Sequence, residues 1–329
     1  MRCNKELEQR CLDAQQQRIC IWSRSDAECH LFQRHRKAGD LLRVFGRLHA
    51  NTVYWSHLSR IEQYQHIVRS LSVLHSQWVF CDATAAIMQG IDEATRHMNN
   101  VHIVTTRERH VHNYGHILHH YIRDDAYEMV DGVKVTPLDR TIFDCARHQS
   151  FPDGLAVIES VLRQGLRTSA QLEIIFQEYA GRHRKHALRA VTCASGRTEN
   201  GGEAYALGVM LESKFVMPVV QEEFIDPLGS GRIDRVDFAW HTDTGRLIVA
   251  ELDGRVKYTD PTMFINGSLS DTIIEEKERE ERLRMRADEV VRFSFAEAYR
   301  RTPLIMKLER AGVPRTDTPF WERTSVGIG

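Results

Sequence analysis

The chain has 329 residues, 42% of them hydrophobic and 27% charged, a globular composition with length for two or three domains. That excludes a disulfide-stapled miniprotein, a collagen, a coiled coil and a wholly disordered chain. The net charge of −1 conceals a gradient: 12 basic residues against 7 acidic over 1–80, 13 against 14 over 81–195, and 19 against 24 over 196–329. The front suits a polyanion. The acidic tail meets DNA only if its carboxylates have a further use, such as holding a metal.

No apolar run approaches the roughly 18 residues that a membrane span needs, and residues 1–10 are too polar for a signal peptide. A soluble, cytoplasmic protein without a membrane partner is expected. Seven cysteines, odd in number and without a C-x-x-C pair, read as reduced thiols and disfavour structural zinc.

In chain order, residues 4–17 form a polar helix. Ser25-Asp-Ala-Glu28 has the spacing of a reciprocal N-terminal cap for a second helix carrying Arg34, His35, Arg36 and Lys37. That helix stops at Ala38-Gly39-Asp40. Leu41–Val44 and Arg47–Ala50 pair about Gly46 as a two-stranded ribbon. A basic helix followed by a ribbon reads as a winged helix-turn-helix, with Arg34, Arg36 and Lys37 towards a major groove and Arg43 and Arg47 on the ribbon. A solvated helix followed by an ordinary hairpin fits the same residues. From Trp55 to Leu74 apolar positions recur at helical intervals, and 81–88 is a short helix ending at Gly90. Strands follow at 101–105, 116–122 and 127–135, with turn signals at Asp124-Asp125 and Asp131-Gly132, then a helix opened by Pro137 and further helices near 153–165 and 169–179. His110, His112, His116, His119 and His120 admit a metal reading or a histidine-rich solvated hairpin. Residues 182–199 are a basic helix end and polar turn, where a domain boundary fits.

Beyond it the order is α-β-β-β-α-β-α: helix 202–211, strands 218–224, 235–240 and 246–253, charged helix 270–287, strand 289–295 and closing helix 297–311. Glu203 falls on the first helix, Asp237 inside the second strand, and Glu251 at the end of the third with Asp253 on the same side. An aspartate inside an apolar strand is costly unless a cation or proton compensates it. Oxygen ligands of this kind suit Mg²⁺ or Mn²⁺, which polarises a phosphodiester and acidifies an attacking water. No G-x-x-x-x-G-K-[ST] loop and no G-x-S-x-G elbow occur, which sets aside kinases, ATPases and serine esterases.

Glu203, Arg235-Val-Asp237-Phe-Ala-Trp240, Ala250-Glu251-Leu-Asp253-Gly254 and Glu276-Lys277-Glu-Arg279-Glu-Glu-Arg-Leu283 resemble the PD-(D/E)XK nuclease fold in its very-short-patch-repair-endonuclease-like form. Residues 25–150, with Val130-Asp-Gly-Val-Lys-Val-Thr-Pro-Leu-Asp-Arg-Thr-Ile142, resemble type IV toxin-antitoxin antitoxins of the AbiEi kind. The resemblances imply a mixed α/β and α+β multidomain chain: a winged helix over 1–54, an α+β connector over 55–195, a restriction-endonuclease-like domain over 196–313 and a tail over 314–329. They imply Asp237 and Glu251 as metal carboxylates, with Glu203 completing the catalytic site. The family motif has lysine two residues after its acid, where this chain has Asp253. Lys257 or Lys277 is then the substitute, or Asp253 is a further metal ligand; Lys277 also reads as a solvated residue between Glu276 and Glu280. Two functions follow: a Mg²⁺- or Mn²⁺-dependent endonuclease on double-stranded DNA, or a non-catalytic regulator of antitoxin-like type. A cognate toxin or a second copy is the expected protein partner.

Overall fold

The structure, a computed structural model, describes residues 5–106, 113–123, 126–225, 231–253 and 269–323, without the side chains of 269–277 and 323. It is a mixed α/β protein, about half helical, with several small sheets and a four-stranded mixed sheet near the C terminus. Two compact units divide it, Met1–Cys145 and Ala146–Gly329. No helix of the described residues is long and apolar enough to cross a membrane.

The first unit opens with α1 (Lys5–Gln16), β1 (Ile21–Trp22), α2 (Asp26–Lys37), β2 (Leu41–Phe45) and β3 (Leu48–Asn51). Leu7, Cys11 and Ala14 recur at helical spacing and close a small core with Ile21, Phe32 and Leu41. Phe32 is the buried residue of α2, with Leu31 packed partly buried beside it, while most of the helix, Cys29 included, is exposed. The Ser25 hydroxyl caps α2 by accepting from Glu28 N, but the Glu28 carboxylate takes Arg24 N and Arg10 instead of returning to Ser25. The three strands run in the order β1-β3-β2, all antiparallel.

The helical run expected from 55 to 74 is two helices, α3 (Thr52–His57) and α4 (Arg60–Leu74), because Ser59 and Glu62 form a capping box that starts a new helix. After α5 (Asp82–Met88) and a 3₁₀ turn at Thr95–Asn99, β4 (Val101–Thr105) pairs in parallel with β5 (Ile117–Tyr121). The segment 127–135 turns at Asp131-Gly132, as its turn signal predicts, into a hairpin of β6 (Glu128–Val130) and β7 (Val133–Val135). Its turn residues Asp131 and Gly132 both take positive φ, 51° and 76°, which matches the twist of a two-residue hairpin. Phe80, Val101, Val133 and Val135 are buried in the core beneath. The division between units falls on α6 (Leu138–His148).

In the second unit, α7 (Phe151–Arg163), α8 (Ser169–Glu178) and α9 (Arg184–Cys193) belong with the C-terminal sheet domain, whereas the sequence places a boundary near 195. The reason is close packing of α7 on α10 (Gly201–Glu212): a Cβ at Gly208 would lie 2.5 Å from the Pro152 Cα. Next come β8 (Val219–Ile225), β9 (Ile233–His241), β10 (Leu247–Asp253), α11 (Leu269–Arg286) and β11 (Glu289–Ser294). The sheet order is β11-β10-β9-β8, parallel only between β10 and β11. The closing helix expected over 297–311 is broken into α12 (Phe295–Arg300) and α13 (Thr302–Ala311), with Arg301 between them at φ 66°. Pro303 fits the break, since it lacks the N–H that a continuous helix would use there and is accommodated in the first turn of α13. A short α14 (Phe320–Arg323) follows.

The helix α11 docks on the sheet through arginines. Arg279, Arg282 and Arg286 follow i, i+3, i+7 spacing and so share a face. Arg282 grips buried Asp234 with two 2.8 Å bonds, and Arg286 donates to the Ile225 carbonyl at 2.8 Å while lying over Phe224. Leu283 is buried beside them.

Candidate functional site

In the N-terminal unit the candidate is a cationic surface. Arg34, Arg36 and Lys37 on α2 and Arg43 and Arg47 on the ribbon are all exposed. Among the described residues none of the five forms an ion pair. Of the basic run on α2, only His35 has an acidic partner, Asp40 at 3.0 Å. Beneath the surface His49 is buried, and its pKa is pushed down by that burial, with Arg36 and Arg43 adding to the effect against a hydrogen bond to the Arg47 carbonyl. The His49 ring lies 5.2 Å from that of Phe32 on α2, and His49 is opposite Arg43 on β2, so helix and ribbon meet at this residue.

In the same unit, His119 and His120 lie on β5, while His110 and His112 fall outside the described residues. His120 meets His102 of β4 at 2.8 Å between ring nitrogens, with the rings stacked. His102 carried no signal in the sequence, since its place beside His120 depends on the parallel β4–β5 register.

In the C-terminal unit the sheet register assembles the acidic candidates. Val220 and Glu222 lie opposite Phe238 and Val236, so Gln221 is in register with Asp237. Ala250 is opposite Phe238 in the last β9–β10 pair, so Glu251 is the next position beside Asp237. Glu251 is opposite Arg292 of β11. Gln221, Asp237, Glu251 and Arg292 therefore form one row across the four strands. At this row the β9–β10 ladder ends, and the Asp237 carboxylate accepts from Leu252 N at 2.7 Å.

Glu203, 3% exposed, reaches the row from the first turn of α10. It accepts from Glu199 N at 2.7 Å, from the Asn200 amide at 2.5 Å and from the Gln221 amide at 2.9 Å. Asn200 in turn caps α10. Burial pushes the Glu203 carboxyl up to about 8, and the Asp237 charge adds to the effect. The same Gln221 nitrogen donates to Asp237 at 3.1 Å. Gln221 is buried within β8 at φ 55°, a left-handed conformation costing about 1–3 kcal/mol that surrounding structure must impose. No local pattern of residues points to Gln221, because its part comes from that backbone twist.

Glu251 is buried and held by guanidinium groups. Arg279 embraces both its oxygens and donates to the Arg235 carbonyl at 2.9 Å, and Arg292 reaches Glu251 at 3.3 Å and Asp253 at 3.8 Å. Burial raises the Glu251 pKa against the lowering pull of the two arginines. Lys257 lies outside the described residues; Lys277 is on α11, where its side chain is also outside them.

No family model and no curated protein matches this chain.

A hard divalent cation requires several oxygens facing one point. Here Glu203 and Asp237 face a shared amide donor, and Glu251 faces two guanidinium groups. Among the described residues, the three carboxylates do not bring ligand oxygens mutually within 4.8 Å. Gln221, Asp237, Glu251 and Arg292 share a row, but the residues as arranged do not fit Mg²⁺ or Mn²⁺.

Proposed function

We propose that the chain is a duplex-DNA-binding protein that acts as a regulator rather than as a nuclease. Its N-terminal unit docks through α2 and the β2–β3 ribbon. The observation that carries this reading is the set of five exposed cations without acidic partners on those elements. Sheet order β1-β3-β2, with α2 leading into the ribbon, suits a winged helix whose helix enters a major groove while the ribbon touches phosphates. The non-catalytic half of the reading is supported by the engagement of Glu251 with Arg279 and Arg292 and by Asp253 in the place of the motif lysine.

The test is fluorescence anisotropy of the purified chain on a duplex taken from upstream of its own coding region, titrated across KCl. Salt-sensitive binding that EDTA leaves intact and that Arg34→Ala/Arg36→Ala/Lys37→Ala weakens is the expected outcome. Affinity unchanged in that variant removes α2 from the account. Mg²⁺-dependent nicking of plasmid, lost in Asp237→Ala and Glu251→Ala, gives the molecule to the endonuclease reading instead.

A further inference from the structure

We infer that Arg279 and Arg292 take the place of a divalent cation in the C-terminal acidic row, which is thereby held as a metal-free salt-bridge network. This rests on the non-catalytic reading above. A carboxylate as deeply buried as Glu251 needs a compensating charge and filled lone pairs. Arg279 meets both oxygens from α11, and Arg292 meets one from the neighbouring strand. The Arg279 guanidinium also takes the Arg235 carbonyl of β9, so one planar group ties α11 to β9 and β10. That is the cross-linking work that a bound ion does between strands. Arg292 extends the same compensation to Asp253, the residue that replaces the lysine of the nuclease motif.

The other half of the row is closed in a different way. A single Gln221 nitrogen lies between Glu203 and Asp237, donating to both. A cation entering there meets a donor in its path, and one entering at Glu251 competes with two fixed positive charges. Arg282 on buried Asp234 repeats the arrangement one helical turn further along α11. Neutralising a buried sheet carboxylate by a guanidinium group therefore occurs twice on this helix, at Arg279 and at Arg282.

The experiment is Mn²⁺ titration of the full-length chain, by calorimetry and by thermal unfolding with and without EDTA. Wild type, Arg279→Gln, Arg279→Lys and Arg279→Gln/Glu251→Gln are compared. Wild type is expected to give no Mn²⁺ heat or Tm shift that Asp237→Asn removes. Arg279→Gln should melt several degrees lower, Arg279→Lys less so, and Mn²⁺ should recover stability in Arg279→Gln but not in the double variant. Mn²⁺ heat in wild type that Asp237→Asn removes overturns the inference. So does an Arg279→Gln protein as stable as wild type, or one that Mn²⁺ leaves unrecovered. If Arg279→Gln does not fold, Arg292→Gln carries the same comparison, and the wild-type titration stands without either. Duplex binding measured on the same wild-type sample separates the two failures. Intact binding with a failed Mn²⁺ result removes only the arginine assignment, whereas absent binding removes the DNA reading.

Discussion

In the N-terminal unit, Arg34, Arg36, Arg43 and Arg47 stand in solvent without acidic partners, whereas in the C-terminal unit Arg279, Arg282 and Arg292 lie on Glu251, Asp234 and Asp253. The same side chain has different physics in the two settings. An exposed arginine keeps its charge available to a polyanion, at a cost in self-repulsion. An arginine on a buried carboxylate has its charge compensated within the fold, and its removal leaves the acid stranded. Charge counting by segment does not distinguish these cases. The acidic excess of the tail is therefore no measure of free negative charge, because buried Glu251 and Asp234 carry arginine counterions within the fold.

Mutation should act most strongly on the exposed cations of the N-terminal unit, proposed to meet DNA. Arg34→Ala/Arg36→Ala/Lys37→Ala should reduce duplex affinity, and its log–log salt slope should be shallower by about 0.9 for each phosphate that the variant no longer neutralises. Anisotropy across KCl reads both. An equal fall in affinity from removing three arginines of the tail would erase the distinction.

At the other end Arg282→Ala should destabilise the chain by about 3 kcal/mol in urea unfolding at neutral pH, because buried Asp234 is deprived of a bidentate partner. Arg34→Ala in the same assay should change stability by less than about 0.5 kcal/mol.

Glu203 sharpens the contrast through pH. Its folded pKa of about 8 lies above the ordinary glutamate value of 4.5, so between those values the folded chain binds the extra proton. Its contribution to stability is present below pH 4.5, declines as pH rises and is gone above about 8. Glu203→Gln should flatten the stability profile over that window by about 1.4 kcal/mol per pH unit. A variant with the wild-type slope would show that Glu203 is ionised in the fold.

The smallest effect concerns Gln221. With φ at 55°, glycine fits the backbone and alanine does not, so Gln221→Gly should be more stable than Gln221→Ala by about 1 kcal/mol. Paired chemical denaturation curves decide it.

What is legible in the sequence follows from the range of each interaction. The α-β-β-β-α-β order is readable because strand alternation and the polar turn after His241 are local signals. The end of α2 at Gly39 and the start of α6 after Pro137 are readable for the same reason. Asp237 and Glu251 can be set side by side once both are placed on neighbouring strands. The α3–α4 interruption is encoded in Ser59 and Glu62, yet apolar spacing runs through it. Arg279 and Arg292 are not legible as partners of Glu251, since they lie 28 and 41 positions further along, and a charged helix such as α11 reads as solvated. The break between α12 and α13 stays hidden until the φ of Arg301 is seen beside Pro303.

The exposure of Cys29 on α2 has a practical outcome for handling this molecule. Among the described cysteines the other five are buried, and burial drives the Cys81 and Cys145 thiols far above their usual range. Once Cys3, outside the described residues, is replaced by serine, maleimide chemistry at neutral pH should select Cys29 alone. Cys29 precedes Arg36 by seven residues, two helical turns on the same side. A dye attached there would sit on the helix proposed to enter the groove and should report duplex docking by its own emission, with every arginine left in place.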